Sequence, residues 1–134
     1  MILDSNVLIA LFQDEQPALF ERLASWKQSH ELFINLVIYA EVAPSFPTHD
    51  ELRQALTMLD VRIASFTELE AHRAGLAFAD YRRRGTQRSA ILPDFLIGAQ
   101  AAIRGWPLVT RNRKGFASYF PEVELIDPMQ VPDD

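Results

Sequence analysis

Short apolar runs alternate with stretches of helical periodicity from one end of the chain to the other. Met1-Ile2-Leu3, Leu32-Phe33-Ile34, Val61–Ala64, Leu108-Val109-Thr110 and Val123–Ile126 read as strands. They are largely apolar, with Arg62 and Glu124 the charged exceptions, as in sheets buried on both faces. Between them the spacing predicts helices over about Ser5–Phe12, from Pro17 to about His30, and from an Asn35 cap to near Pro44. Further helices are expected over 48–59, 67–84 and from Pro93 to Arg104. Thr48-His49-Asp50-Glu51 and Thr67-Glu68-Leu69-Glu70 both match the capping box, and Gly85 and Gly105 supply stops. Leu19, Phe20, Leu23 and Trp26 share one face of the helix that Pro17 opens. Strands alternating with helices mean a parallel sheet joined by right-handed crossovers. The expected fold is a three-layer α/β/α sandwich with a central parallel sheet, filling residues 1–134 as one domain. Strand order does not follow from the pattern.

Composition narrows the class. The chain is 49% apolar with mixed charge, as a folded domain requires. It has no cysteine, and its three histidines (His30, His49, His72) match no zinc spacing. No apolar run approaches the ~18 residues that span a bilayer, and no basic leader precedes the first strand. A cytoplasmic protein without a membrane partner is expected. Charge is distributed unevenly. Between Tyr81 and Pro121 lie eight bases (Arg82, Arg83, Arg84, Arg88, Arg104, Arg111, Arg113, Lys114) and one acid, Asp94. That stretch is about +7, whereas the remainder, with 17 acids and five bases, is about −12. A lone carboxylate in a basic surface points to a site that meets polyanions.

Open parallel sheets bind ligands at the carboxyl ends of their strands. Asp4 follows the first strand directly, Asn112 follows the Leu108–Thr110 strand by two residues, and Asp94 lies in the first turn of its helix. Glu41 lies two turns into the helix after the second strand, among Val37, Ile38, Ala40, Val42 and Ala43. A glutamate in that setting needs an arginine, a raised pKa or a metal ion to offset its desolvation. Each position also has a plainer reading. Asp4 and Asp94 suit helix caps, Glu41 an ion pair and Asn112 a turn. If they converge, three carboxylates and an amide meet on one side of a sheet, where like charges repel unless a cation neutralises them. Oxygen ligands without His or Cys select Mg²⁺ or Mn²⁺. Such an ion polarises a phosphodiester and supplies hydroxide for in-line attack.

These segments resemble the motifs of PIN-domain nucleases. Met1-Ile-Leu-Asp-Ser-Asn-Val-Leu-Ile resembles the family's first motif, Asn35-Leu-Val-Ile-Tyr-Ala-Glu41-Val its second, and Leu92-Pro-Asp94-Phe-Leu-Ile-Gly-Ala-Gln-Ala its third. Leu108-Val-Thr-Arg-Asn112-Arg-Lys-Gly-Phe, with Tyr119-Phe120-Pro121, resembles the fourth motif and C-terminal segment of VapC-like toxins of type II toxin–antitoxin systems. The resemblance implies a Mg²⁺-dependent endoribonuclease, with Mn²⁺ as a substitute, in which Asp4, Glu41 and Asp94 ligate the metal. It also implies a homodimer held inactive by a cognate antitoxin. The fourth position is commonly aspartate in that family, so Asn112 brings an amide oxygen without charge and favours single-metal chemistry. Asn6 and Thr110 are placed to hydrogen-bond the ligands. From charge alone, Arg84, Arg111 and Arg113 suit an RNA backbone.

Two other readings stand beside this one. The chain is alternatively a catalytically weakened PIN-like module that binds RNA or protein, with Asn112 marking the loss. A phosphotransfer enzyme with Asp4 as nucleophile fits less well, because the residue two positions on is Asn6 and no lysine signature follows.

Overall fold

The computed structural model describes residues 1–13, 16–85 and 91–130. Among the described residues five short strands form one sheet: β1 (Ile2–Leu3), β2 (Leu32–Ile34), β3 (Val61–Ile63), β4 (Leu108–Val109) and β5 (Leu125–Ile126). Their order is β3-β2-β1-β4-β5, and every pairing is parallel. Among the described residues seven α-helices flank the sheet: α1 (Ser5–Gln13), α2 (Pro17–Lys27), α3 (Leu36–Val42), α4 (His49–Met58), α5 (Glu68–Arg83), α6 (Leu92–Arg104) and α7 (Arg113–Ala117). A single 3-10 turn over Ala43–Ser45 extends α3. The result is the expected α/β/α sandwich. Among the described residues no helix is long and apolar enough to cross a membrane.

The strand order is what positions the site. The chain steps outward from β1 to β2 to β3, then crosses to the other side of β1 for β4 and β5. The direction therefore reverses between β1 and β4, and such a switch point opens a crevice at the carboxyl ends of the strands. Asp4 leaves β1 at that point, and its N–H donates to the Val109 carbonyl of β4 at 2.9 Å. Ile2 and Leu3 are fully buried, aligned with Leu108 and Val109, so this end of the sheet is held by packing as well as by the ladder.

Several boundaries shift for physical reasons. The capping box at Thr67 closes both ways at 3.1 Å, whereas at Thr48 the hydroxyl accepts from the Glu51 N–H at 3.2 Å with no return bond. On α2, Leu19 and Leu23 are buried, but Phe20 is 46% exposed and belongs to a different face. That helix ends at Lys27, three residues short of His30, in a turn closed by the His30 N–H on the Trp26 carbonyl at 2.8 Å. The strand expected over Val123–Ile126 shortens to Leu125–Ile126 because Val123 closes a turn on the Phe120 carbonyl. Gly105 closes α6 in the left-handed region (φ +65°), which its missing Cβ tolerates. Phe95 is 2% exposed and packs against the rings of Phe78, Tyr81, Tyr119 and Phe120 at 5.2–6.2 Å between centroids. This aromatic cluster fixes the start of α6, one residue from Asp94.

Candidate active site

Asp4 sits at the bottom of the crevice, 5% exposed. One carboxylate oxygen accepts the Ser5 N–H at 2.8 Å and lies 3.5 Å from the Ser5 hydroxyl. The other accepts the Thr110 hydroxyl at 2.8 Å and the Asn6 amide at 3.3 Å. Thr110 is fully buried, and its hydroxyl in turn accepts the Asn112 N–H at 3.0 Å. Asn6 closes the loop by accepting the Arg111 N–H at 3.2 Å. The segment after β4 is thus tied to Asp4 through Thr110 and Asn6. A hydroxyl that both donates and accepts is fixed in orientation, so the carboxylate it serves is fixed too.

Glu41 reaches the site from the last turn of α3, which Asn35 caps by accepting the Ile38 N–H at 2.9 Å. Asp94 reaches it from the first turn of α6, where its carboxylate accepts the Ile91 N–H at 3.4 Å. The capping role considered for Asp94 is therefore real, but weak in geometry. Burial raises the pKa of all three carboxyls above their ordinary values. The bonds from Thr110 and Ser5 oppose the rise at Asp4, and the nearby charge of Asp94 adds to it. At Glu41 the Ser5 hydroxyl opposes the rise, while the charges of Asp4 and Asp94 reinforce it. Glu41 Oε1 is buried with no hydrogen-bond partner.

Asp4 feels the charge of Asp94, and Glu41 feels those of Asp4 and Asp94, so the three acids lie within electrostatic reach of one another although they come from residues 4, 41 and 94. Among the described residues none of them has a salt-bridge partner. Neither do any three His, Cys, Asp or Glu side chains among those residues stand close enough to hold an ion as placed. The carboxylates are electrostatically coupled without forming a closed ligand shell among the described residues, and unneutralised acids in such reach repel one another.

The remaining candidates divide. Asn112 meets the site through its backbone N–H, while its exposed amide caps nothing and lies over Gly115, 2.8 Å from where a Cβ there would stand. Arg111 and Arg113 are exposed beside it. Arg84 is also exposed, paired with Asp80 at 3.0 Å and held over the Tyr119 ring at 5.6 Å. Arg104 departs from the basic rim, because its guanidinium binds the buried Glu70 at 2.6 Å. Arg88 lies outside the described residues. Sequence reasoning missed Ser5, whose N–H bonds Asp4 and whose hydroxyl opposes the rise in the Glu41 pKa. Its position directly after Asp4, at the start of α1, was the available signal.

The sequence model of the PIN domain matches residues 1–119. The chain belongs to the PIN domain family. No curated protein matches its sequence. Solved structures do match. A chain from a toxin–antitoxin complex of Klebsiella pneumoniae is 26% identical, with 97% of this chain and 98% of that one covered and a TM-score of 0.71. A chain from VapBC-1 of nontypeable Haemophilus influenzae is 21% identical, with 96% and 98% covered and a TM-score of 0.77. One from VapBC2 of Rickettsia felis, crystallised with a promoter DNA fragment, is 17% identical, with 92% and 95% covered and a TM-score of 0.73. The PIN domain here thus has a VapC-like fold. PIN domains typically use a divalent metal, and the chemistry of these donors fits one, though not yet their spacing: oxygen ligands only, elevated pKa values, and an orphaned Glu41 oxygen.

Proposed function

We propose that this PIN domain is a Mg²⁺-dependent endoribonuclease, with Mn²⁺ as a functional substitute, and that it is the toxin of a toxin–antitoxin pair. The observation that carries the reading is the trio of acids at the sheet's switch point, Asp4 buried and Glu41 and Asp94 half-buried, raised in pKa and without an internal cation. Asp4, Glu41 and Asp94 would hold the ion, which when bound supplies the electrophilic assistance that phosphodiester hydrolysis needs. Thr110, Asn6 and Ser5 orient Asp4, so the ligand is set before the ion arrives. Acids above their ordinary pKa also accept a proton from the attacking water more readily. Water adds at phosphorus, the phosphodiester P–O bond breaks, and a proton goes to the leaving oxygen. Arg84, Arg111 and Arg113 form a rim for the RNA backbone, and the exposed Asn112 would turn toward the site as an uncharged donor and acceptor when substrate and ion are bound.

The fold's likeness to chains from toxin–antitoxin complexes supports a cognate antitoxin as partner. An apolar cavity of about 520 Å³ lined by Leu11, Phe12, Pro17 and the exposed Phe20 supports the same reading. A homodimer in the cytoplasm, with residues 1–134 as one nuclease domain, completes the proposal. The competing binding-module reading is favoured by the neutral, outward-lying Asn112. Calorimetry with Mn²⁺, paired with an RNA degradation assay with and without chelator, separates the two. Binding that Asp4→Asn removes, together with chelator-sensitive cleavage, is the expected result. A protein that binds RNA but neither Mn²⁺ nor cuts would be the module.

A further inference from the structure

The helices that carry Glu41 and Asp94 are joined a second time, inside the core. Asn35 caps α3 with its Oδ1 and donates its Nδ2 to Gln100 Oε1 of α6 at 3.0 Å. Gln100 Nε2 donates to Glu70 Oε1 at 3.1 Å and to the Ser65 carbonyl at 3.3 Å. The Glu70 carboxylate also accepts the Thr67 N–H at 3.1 Å and Arg104 Nε at 2.6 Å. Asn35 and Gln100 are fully buried and Glu70 is 1% exposed, yet every polar atom of these three side chains has a partner. A satisfied buried network of this kind admits one arrangement, because any slip leaves polar groups unpaired in a low-dielectric interior.

Its position along the helices gives that rigidity a use. Gln100 lies six residues after Asp94, and Asn35 lies six residues before Glu41, about 9 Å of helix in each case. The start of α3 meets the middle of α6, while the end of α3 lies beside the start of α6, so the two run in opposite senses. Alone, α3 is too short to hold its place: it has seven residues, and Leu36 at its start is 61% exposed. The charges of Glu41 and Asp94 repel at the end where the site lies, so nothing between those two side chains holds the helices together there. We infer that the Asn35–Gln100 bond, anchored through Glu70 to Arg104, is a register pin that fixes the spacing of Glu41 and Asp94, and that Gln100 is a positioning residue for the site. Sliding α3 by one turn would shift Glu41 by about 5.4 Å, far outside the ~0.5 Å that a preorganised ligand set tolerates.

The inference rests on the metal reading above for its function, but not for its existence, so the experiment has two readouts. Gln100→Met keeps volume and removes both arms of the pin. Asn35→Ser is milder, keeping the α3 cap while deleting only the donor to Gln100. Leu56→Ala, in the buried face of α4, is the control for general destabilisation. In metal-free protein, hydrogen exchange of the α3 amides should quicken at least tenfold in both pin variants and stay unchanged in the control once global stability is matched. Calorimetric Mn²⁺ affinity should fall 10- to 100-fold in the pin variants, and Gln100→Met should add no further loss in a Glu41→Gln background. Unchanged α3 exchange, or losses that add in the double variant, would overturn the pin. If the wild type binds no Mn²⁺, the metal reading fails, and α3 exchange alone decides the pin.

Discussion

Two acidic regions lie within one helix packing of each other and behave oppositely. Glu70 is almost completely buried, and burial alone would raise its pKa. Hydrogen bonds from Arg104, the Thr67 N–H and Gln100, with the charge of Arg104, outweigh burial and hold the carboxyl below its ordinary value. Asp4 is buried almost as deeply and Glu41 and Asp94 are half-buried, none with a basic partner among the described residues, and all three are held above theirs. The contrast shows that this protein neutralises a buried acid when the acid's purpose is architectural. Where it leaves three acids unneutralised at a switch point, the proposed function has the missing cation come from outside.

The largest expected effect is on chemistry. Asp94→Asn should abolish RNA cleavage while circular dichroism stays that of the wild type, since the lost charge is one the fold does not need. Retained cleavage at wild-type rate with Mg²⁺ would remove Asp94 from the site. The next effect is on stability, in the other region. Glu70→Gln leaves Arg104 facing no charge and should cost about 3–5 kcal/mol in urea unfolding. A loss within error would mean the pair is a solvated contact. Smaller again is Thr110→Val, which keeps shape but removes the hydroxyl from Asp4 and leaves the Asn112 N–H without its acceptor. Mn²⁺ affinity should weaken 10- to 100-fold, and an unchanged affinity would show that Asp4 is oriented without it.

The two regions also titrate with opposite signs. Glu70 has a depressed pKa, so its stabilising contribution is present above the ordinary glutamate value and is lost as pH falls through the folded one. The difference in stability between wild type and Glu70→Gln should therefore shrink on acidification. The three site acids have raised pKa values, so the metal-free folded state binds more protons than the unfolded chain across that window. Their penalty is absent below the ordinary carboxylate range and grows as pH rises through the raised values. The destabilisation of wild type relative to Asp4→Asn should accordingly appear on going from about pH 4 to neutral. Urea unfolding of the metal-free proteins across that range checks both signs, and parallel trends would refute the contrast.

Some of this was legible in the sequence because it is local. Asp4 abuts a strand, Asp94 follows Pro93, and Glu41 is an isolated charge in an apolar helix, so each position could be nominated as a candidate before any fold was known. The α/β alternation was legible for the same reason. Strand order was not, since nothing in two- and three-residue strands records which neighbours they pair with. The short helix over Arg113–Ala117 escaped because only Phe116 in it is buried, too little for a periodic signal. Arg104 looked like one more surface base, yet its partner Glu70 lies 34 residues away and turns it inward. The basic stretch was also drawn to begin just past Asp80, which pairs with Arg83 and Arg84. Pairings between distant segments are tertiary facts, and a charge count cannot hold them.

Thermal unfolding of wild type and Asp4→Asn, each with and without Mn²⁺, tests the central claim most directly. Without metal the variant should melt above the wild type, because one repelling charge is gone; with Mn²⁺ the order should reverse, as only the wild type gains the ion's binding energy. A wild type indifferent to Mn²⁺, and no less stable than the variant without it, would contradict the account.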